Sequence, residues 1–252
     1  MSFDVAADAY DRFMGRYSVL LAPQMADLAG VLPGQRVIDV GCGPGALTGE
    51  LVTRAGANAV TAVDPSRPFV EAAAERHPGV DVRLASAEAL PFDDGGFDAA
   101  LAQLVVHFMT DPLAGLGEMR RVTRRGGVVV ACVWDHAGGL GPLGLFWRAA
   151  RELDPSVNDE SDLAGAREGH LAALFAAAHL RDIQERTLVA DLEHPTFAAW
   201  WEPFTRGVGP AGAYVATLMP HARVALRERC REALGDGPFV VPARAWAARG
   251  TT

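Results

Sequence analysis

Cysteine is scarce in this chain of 252 residues. The three present, Cys42, Cys132 and Cys230, make no C-x-x-C pair and no even set, which excludes a disulfide framework and fits a reducing compartment, the cytoplasm. Long apolar runs are lacking too. No uninterrupted stretch approaches the ~18 residues of a membrane span, so none is expected. The N-terminal MSFDVAADAYDRF carries Asp4, Asp8 and Asp11 and no apolar h-region, so it does not read as a secretory signal. Positive charge is in deficit, with 23 basic against 31 acidic side chains and a net charge of −8. That balance argues against a general nucleic-acid binder or a protein held on anionic membranes. Repeats and low-complexity linkers are absent, and the length suits a single domain over residues 1–252. What remains is an ordinary globular composition, half hydrophobic and 21% charged.

The stretch around which the rest is arranged is VIDVGCGPG, residues 37 to 45. Val37, Ile38 and Val40 suit a short strand buried on both faces of a parallel sheet, and the run stops at Gly41. Gly41, Gly43 and Gly45 permit a tight turn and a close approach of backbone to ligand. Leu47, Leu51, Val52 and Ala55 then share a helical face that Gly56 ends. The helix start offers free N–H groups to an anionic ligand group. Gly41, Gly43 and Ala46 also satisfy the dinucleotide fingerprint, so the glycine pattern alone leaves the ligand open. Asp39 is the unusual feature, a carboxylate inside an apolar strand, where it can either cap nearby backbone or face a bound cation.

D-V-G-C-G-P-G resembles the first motif of class I S-adenosylmethionine-dependent methyltransferases, in which the acidic residue lies near the ligand's ammonium group. The resemblance is good over residues 35 to 135 and is nearest to small-molecule enzymes related to ubiquinone and menaquinone biosynthesis. It implies an α/β fold, a Rossmann-like seven-stranded sheet flanked by helices, with S-adenosylmethionine as cofactor and S-adenosylhomocysteine as product.

A second strand over 58 to 64 finishes on Asp64, where Rossmann-like proteins hydrogen-bond a ribose diol, with Pro65 and Ser66 turning into the next helix. A third strand over 80 to 85 leads into SAEALPF. By the resemblance, Ala87 and Glu88 lie against the adenine, with Leu90, Pro91 and Phe92 supplying apolar surface. A fourth strand over 97 to 104 puts Gln103 on the pocket rim. Cys42 joins the cofactor-binding set with Asp39 and the glycines by its place in the motif, and has no partner base. A helix over 112 to 123, capped by Asp111 and ending near Arg124-Arg125, precedes a fifth strand, VVVACVW. RVTRRGG resembles the family's R-V-L-K-P-G-G segment, with Arg125 in place of proline.

Beyond Trp134 only order guides the reading. Helical insertions are expected over about 137–179 and 195–235 as a cap, a sixth strand over 180 to 192, and a last strand over 237 to 250, antiparallel in the sheet. Residues 1–32 are expected to be a helical segment ended by Pro33-Gly34, which either lies over the ligand as a lid or packs on the core.

Methyl transfer is an in-line displacement and needs mainly positioning in a dry site. An oxygen or nitrogen acceptor also has to lose a proton, for which His107 after the fourth strand is the candidate base, with His136 behind it. Trp134, Phe146, Trp147, Trp200, Trp201 and Phe204 either line a small-molecule acceptor pocket or pack the core. No metal site is expected. Two other readings stay open: a nicotinamide-dependent oxidoreductase and a non-catalytic S-adenosylmethionine-binding protein.

Overall fold

The computed structural model describes residues 7–252, so the start of the expected lid, with Asp4, lies outside the described residues. The chain enters through α1 (Ala7–Tyr10), a π-helical turn (Asp11–Gly15) and α2 (Arg16–Ala29). Gly30, left-handed at φ 66°, ends α2 before Pro33 is reached. Strands and helices then alternate: β1 (Val37–Val40), α3 (Ala46–Ala55), β2 (Val60–Asp64), α4 (Arg67–Arg76), β3 (Asp81–Leu84), β4 (Phe97–Gln103), α5 (Pro112–Val122) and β5 (Thr123–Trp134). The second half contributes α6 (Gly144–Leu153), α7 (His170–Ala177), β6 (Arg181–Val189), β7 (Leu192–His194), α8 (Phe197–Trp201), α9 (Gly209–Thr217), α10 (Pro220–Leu234), β8 (Phe239–Val241) and β9 (Arg244–Thr251).

Seven strands form one sheet in the order β3-β2-β1-β4-β5-β9-β6. The first five pair in parallel, and β9 runs antiparallel to both β5 and β6. The expected α/β fold and its antiparallel strand are both present. Alternation of side chains explains the layering. Val37, Leu101, Val130 and Cys132 face Leu21 and Met25 of α2 and Leu47 and Leu51 of α3. Ile38, Val40, Val129, Ala131 and Val133 face Leu116 and Met119 of α5 and Leu171 and Phe175 of α7. Because both faces are covered, the strands read as continuous apolar runs.

Four expectations need correction. The last strand is two: Pro242, which has no N–H for a ladder, separates β8 from β9. The expected sixth strand stops at Val189, and Leu192 belongs to β7, which pairs with β8 in a separate small sheet. Arg124 and Arg125 lie in the opening of β5, not at the end of a helix, and Arg124 reaches Asp98 at 2.6 Å. Within 137–179, α7 packs on the sheet, so only α6 joins the cap.

The cap core gathers Phe146, Trp147, Trp200, Trp201 and Phe204, with Phe146 and Phe204 stacked at 4.6 Å. Phe13 meets the edge of Phe204 at 5.1 Å, while Tyr17 packs on Trp134 at 5.9 Å and reaches His194 Nε2 with its hydroxyl at 3.1 Å. The N-terminal helices thereby bind cap to sheet.

Asp39 interrupts the apolar core of β1. It is 1% exposed, its Oδ2 accepts from the Thr48 hydroxyl at 2.7 Å, and its Oδ1 has no partner among the described residues. Burial pushes its carboxyl up to about 7, against the Thr48 bond. Two residues on, Gly41 has φ 73°, and a Cβ there would stand 2.5 Å from Val105 Cγ2.

Two outcomes follow from this strand end. The raised carboxyl stabilises the fold fully below its unfolded value near 4 and loses that contribution as pH rises through about 7. Asp39→Asn should therefore match the wild type at acid pH and exceed it above neutrality by roughly 2–4 kcal/mol, read from unfolding curves across pH. Gly41→Ala combines a left-handed backbone with a clash and should cost about 2–4 kcal/mol, part of it recovered when Val105→Ala is added, as thermal melts would show.

Candidate active site

Strand order reverses between β1 and β4, and at the carboxyl ends of the parallel strands a cleft of about 460 Å³ opens. Gly41, Gly43, Asp64, Pro65, Ser66, Ala87, Glu88 and Gln103 line it, bringing together eight of the expected cofactor positions. Asp39, Cys42 and Gly45 do not reach its wall. They support it from behind. Gly45 starts α3 at φ 99°, with its carbonyl 2.9 Å from His77 Nε2. The Cys42 thiol contacts the Gly43 carbonyl, and burial holds its pKa well above the ordinary value, leaving no thiolate for chemistry.

Asp64 ends β2 with its carboxylate oriented by two backbone donors, the Gly43 N–H at 2.9 Å and the Ser66 N–H at 2.8 Å. Burial raises its pKa and those two bonds oppose the rise. Among the described residues, no arginine pairs with Asp39 or Asp64. Two neighbouring carboxylates without a cation, a glycine turn and an open space beside Gly43 fit a ligand that carries both a positive centre and a ribose diol.

Glu88 accepts from the Ser86 hydroxyl and from the Thr110 N–H at 2.8 Å, tying the loop after β3 to the start of α5. Burial would raise its pKa, but the Ser86 hydroxyl and the backbone donors hold it below the usual range. Gln103 donates to the Ser18 carbonyl at 3.0 Å, and its Oε1 is buried without a partner among the described residues. The expected apolar surface from Leu90, Pro91 and Phe92 is displaced, since Leu90 and Phe92 pack with α5 and the sheet. Phe69, Val105, Phe108 and Met109 supply the cleft's apolar wall instead.

His107 is not in the cleft. It sits on a 3₁₀ turn (Val106–Phe108), and its side chain lines an adjoining chamber of about 40 Å³, room for about three waters. Tyr10, Leu104 and Phe108 border both spaces, and Phe13 and Met14 complete the roof of the chamber. His136 joins His107 there, ring centres 5.7 Å apart, and Glu160 lies with its Oε1 4.0 Å from His136 Nε2. Glu160 Oε2 accepts from the Trp147 indole N–H at 2.8 Å. Burial lowers His107 well below the ordinary imidazole range and His136 to about 4, and pushes Glu160 up to about 7. Of the aromatic candidates only Trp134 lines the chamber; Phe146, Trp147, Trp200, Trp201 and Phe204 pack the cap. Glu160 was not expected from the sequence, where it sits among Asp154, Asp159 and Asp162 in a polar stretch.

Among the described residues no helix is long and apolar enough to cross a membrane, and no group of three or more His, Cys, Asp or Glu side chains is placed to hold a metal.

Residues 38–131 match the family model of a methyltransferase domain. An uncharacterised protein of Mycobacterium tuberculosis is 31% identical over 232 residues, 86% of this chain and 82% of that protein. A demethylmenaquinone methyltransferase of Renibacterium salmoninarum is 37% identical over 112 residues, 44% of this chain and 46% of that enzyme. Among the first curated relatives, the chain spans between 32% and 61% of their length. The crystal structure of YcgJ from Bacillus subtilis shares the fold, with a TM-score of 0.59 at 18% identity over 92% of this chain and 97% of that one. With the matched domain sitting on the strands that build the cleft, the chain belongs to the class I S-adenosylmethionine-dependent methyltransferases.

Proposed function

We propose that the protein methylates a small molecule, with S-adenosylmethionine in the cleft and the acceptor in the adjoining chamber. The observation that carries this is the shared wall. Tyr10, Leu104 and Phe108 border both spaces, so the two meet at these side chains, and groups bound in each can approach one another there.

On this reading the cofactor supplies an electrophilic methyl carbon on a sulfonium, and the chain's own residues bind and orient. Asp64 accepts from the ribose hydroxyls, its orientation fixed by Gly43 and Ser66. Asp39, behind the turn, contributes negative potential toward the positively charged end of the ligand rather than a direct wall contact. Gly41 and Gly43 let the backbone come close, and Ala87, Phe69 and Met109 give the adenine an apolar bed. The roof formed by Tyr10, Phe13 and Met14 shields the acceptor side from solvent.

Calorimetry with S-adenosylhomocysteine, S-adenosylmethionine and NAD tests the reading, with Asp64→Asn beside the wild type. The sulfur ligands should bind at micromolar levels and weaken at least ~tenfold (~1.4 kcal/mol) in the variant, while NAD gives no heat. NAD binding in place of the sulfur ligands would overturn the reading.

A further inference from the structure

The chamber holds a buried carboxylate that no cation among the described residues answers. Glu160 is 4% exposed, and its polar neighbours are the Trp147 indole N–H at 2.8 Å and His136 at 4.0 Å. Nearby arginines are engaged elsewhere, Arg151 with Asp159 and Arg244 with Asp135. A carboxylate so buried ordinarily has a positive partner or gives up its charge. Two further polar atoms share the chamber, His107 Nδ1 and His136 Nε2, both buried and without a hydrogen-bond partner among the described residues. Around them stand the rings of Tyr10, Phe13, Phe108 and Trp134, whose faces attract cations. Among the described residues no arginine lines the chamber, so an acceptor's phosphate or carboxylate would be desolvated there beside a like charge.

Resting on the methyltransferase reading above, we propose that the acceptor is a primary or secondary amine, its amino end entering this chamber as an ammonium, and that Glu160 takes the proton which frees the nitrogen for methylation. The gap fits such a group: a nitrogen about 2.7–3.2 Å from both Glu160 Oε1 and His136 Nε2 spans the 4.0 Å between them. The volume, room for about three waters, admits an amino group and one or two carbons but not a ring system.

The groups facing Glu160 suit this role. His107 and His136 stay neutral because burial lowers them, so each offers a lone pair to an N–H without competing for the proton. Burial likewise pushes the Tyr10 phenol up to about 12, keeping it uncharged. The Asp135–Arg244 and Arg151–Asp159 pairs neutralise themselves. Glu160, raised to about 7, is matched to receiving a proton near neutrality. In the step, an N–H bond breaks, the proton goes to the carboxylate and the electron pair stays on nitrogen. That pair forms the N–C bond, the S–C pair remains on sulfur, and the positive charge passes to the methylated nitrogen.

The test needs no natural acceptor. Protein saturated with S-adenosylhomocysteine is titrated with ethylamine, ethanol and acetate, three small probes of similar size that differ in charge. Ethylamine should bind at least about tenfold more tightly than the other two, and Glu160→Gln should remove that preference while leaving S-adenosylhomocysteine binding intact. Calorimetry of the wild type in buffers of different ionisation enthalpy gives a second readout that survives a misfolded variant. Ethylamine should displace close to about one proton at pH 6, where free Glu160 is protonated, and little at pH 8, where it is already ionised. Ethanol binding as tightly as ethylamine, acetate binding best, or the absence of proton release at pH 6 would each overturn the amine assignment. Failure of S-adenosylhomocysteine to bind would instead overturn the methyltransferase reading, so the two failures are separable.

Discussion

Both sides of the cleft depend on one carboxylate. Asp64 receives the Gly43 N–H on one oxygen and the Ser66 N–H on the other, so the glycine turn after β1 is fastened to the end of β2 and to the start of α4. The turn carries glycine at three alternating positions, 41, 43 and 45, none with a side chain to lock it by packing, so backbone ties hold it: this one, and the Gly41 and Cys42 N–H groups donating to the Val63 carbonyl at 2.8 and 2.9 Å. The sheet fixes where the tie is made, since β1 and β2 run in register from Val37 opposite Val60 to Val40 opposite Val63. Position flows from strand pairing to carboxylate to turn.

A second linkage joins the turn to the roof of the chamber. Arg76 at the end of α4 donates to the Pro44 carbonyl in the glycine turn and to Asp11 in the π-helical turn, at 3.2 and 2.6 Å. Such a half-exposed ion pair adds little stability. Its geometric effect is larger, because the same guanidinium registers the cleft floor against the segment that carries Tyr10, Phe13 and Met14. Placing the roof between cap and sheet, through Phe13 on Phe204 and Tyr17 on Trp134, makes both spaces sensitive to the same helix.

The strands and helices up to Trp134 were legible because each is a local event. VIDV followed by alternating glycines, or Asp111 before Pro112, announces its structure within a few residues, and the Asp111 cap is present with bonds to the N–H groups of Leu113 and Ala114. The cleft residues were legible for the same reason, lying at strand ends whose order the pattern discloses. The chamber was not. Glu160 reads as one acid among several in a polar stretch, and its burial arises from Trp147, a residue on another element whose indole seeks an acceptor. His107, the candidate base read from the sequence, lines the chamber rather than the cleft, and its displacement follows from the 3₁₀ turn after Leu104, a non-glycine residue at φ 63°. The helical reading of about 195–235 did not place the breaks at Gly207 and Leu218, since apolar periodicity persists across them.

The place of β9 in the sheet has a consequence for how the protein comes to be. Among the described residues β6 has no neighbour in the main sheet except β9, and β9 is also what covers the open side of β5. On a ribosome, β6 emerges after α6 but before α8, α9 and α10 of the cap, yet it has nothing in the sheet to pair with until those helices and β9 have followed. The parallel half can assemble early, while β6 and the exposed flank of β5 wait as unsatisfied edges. The cap core and the sheet therefore close late and together, and the chamber between them is among the last features the newly made chain acquires.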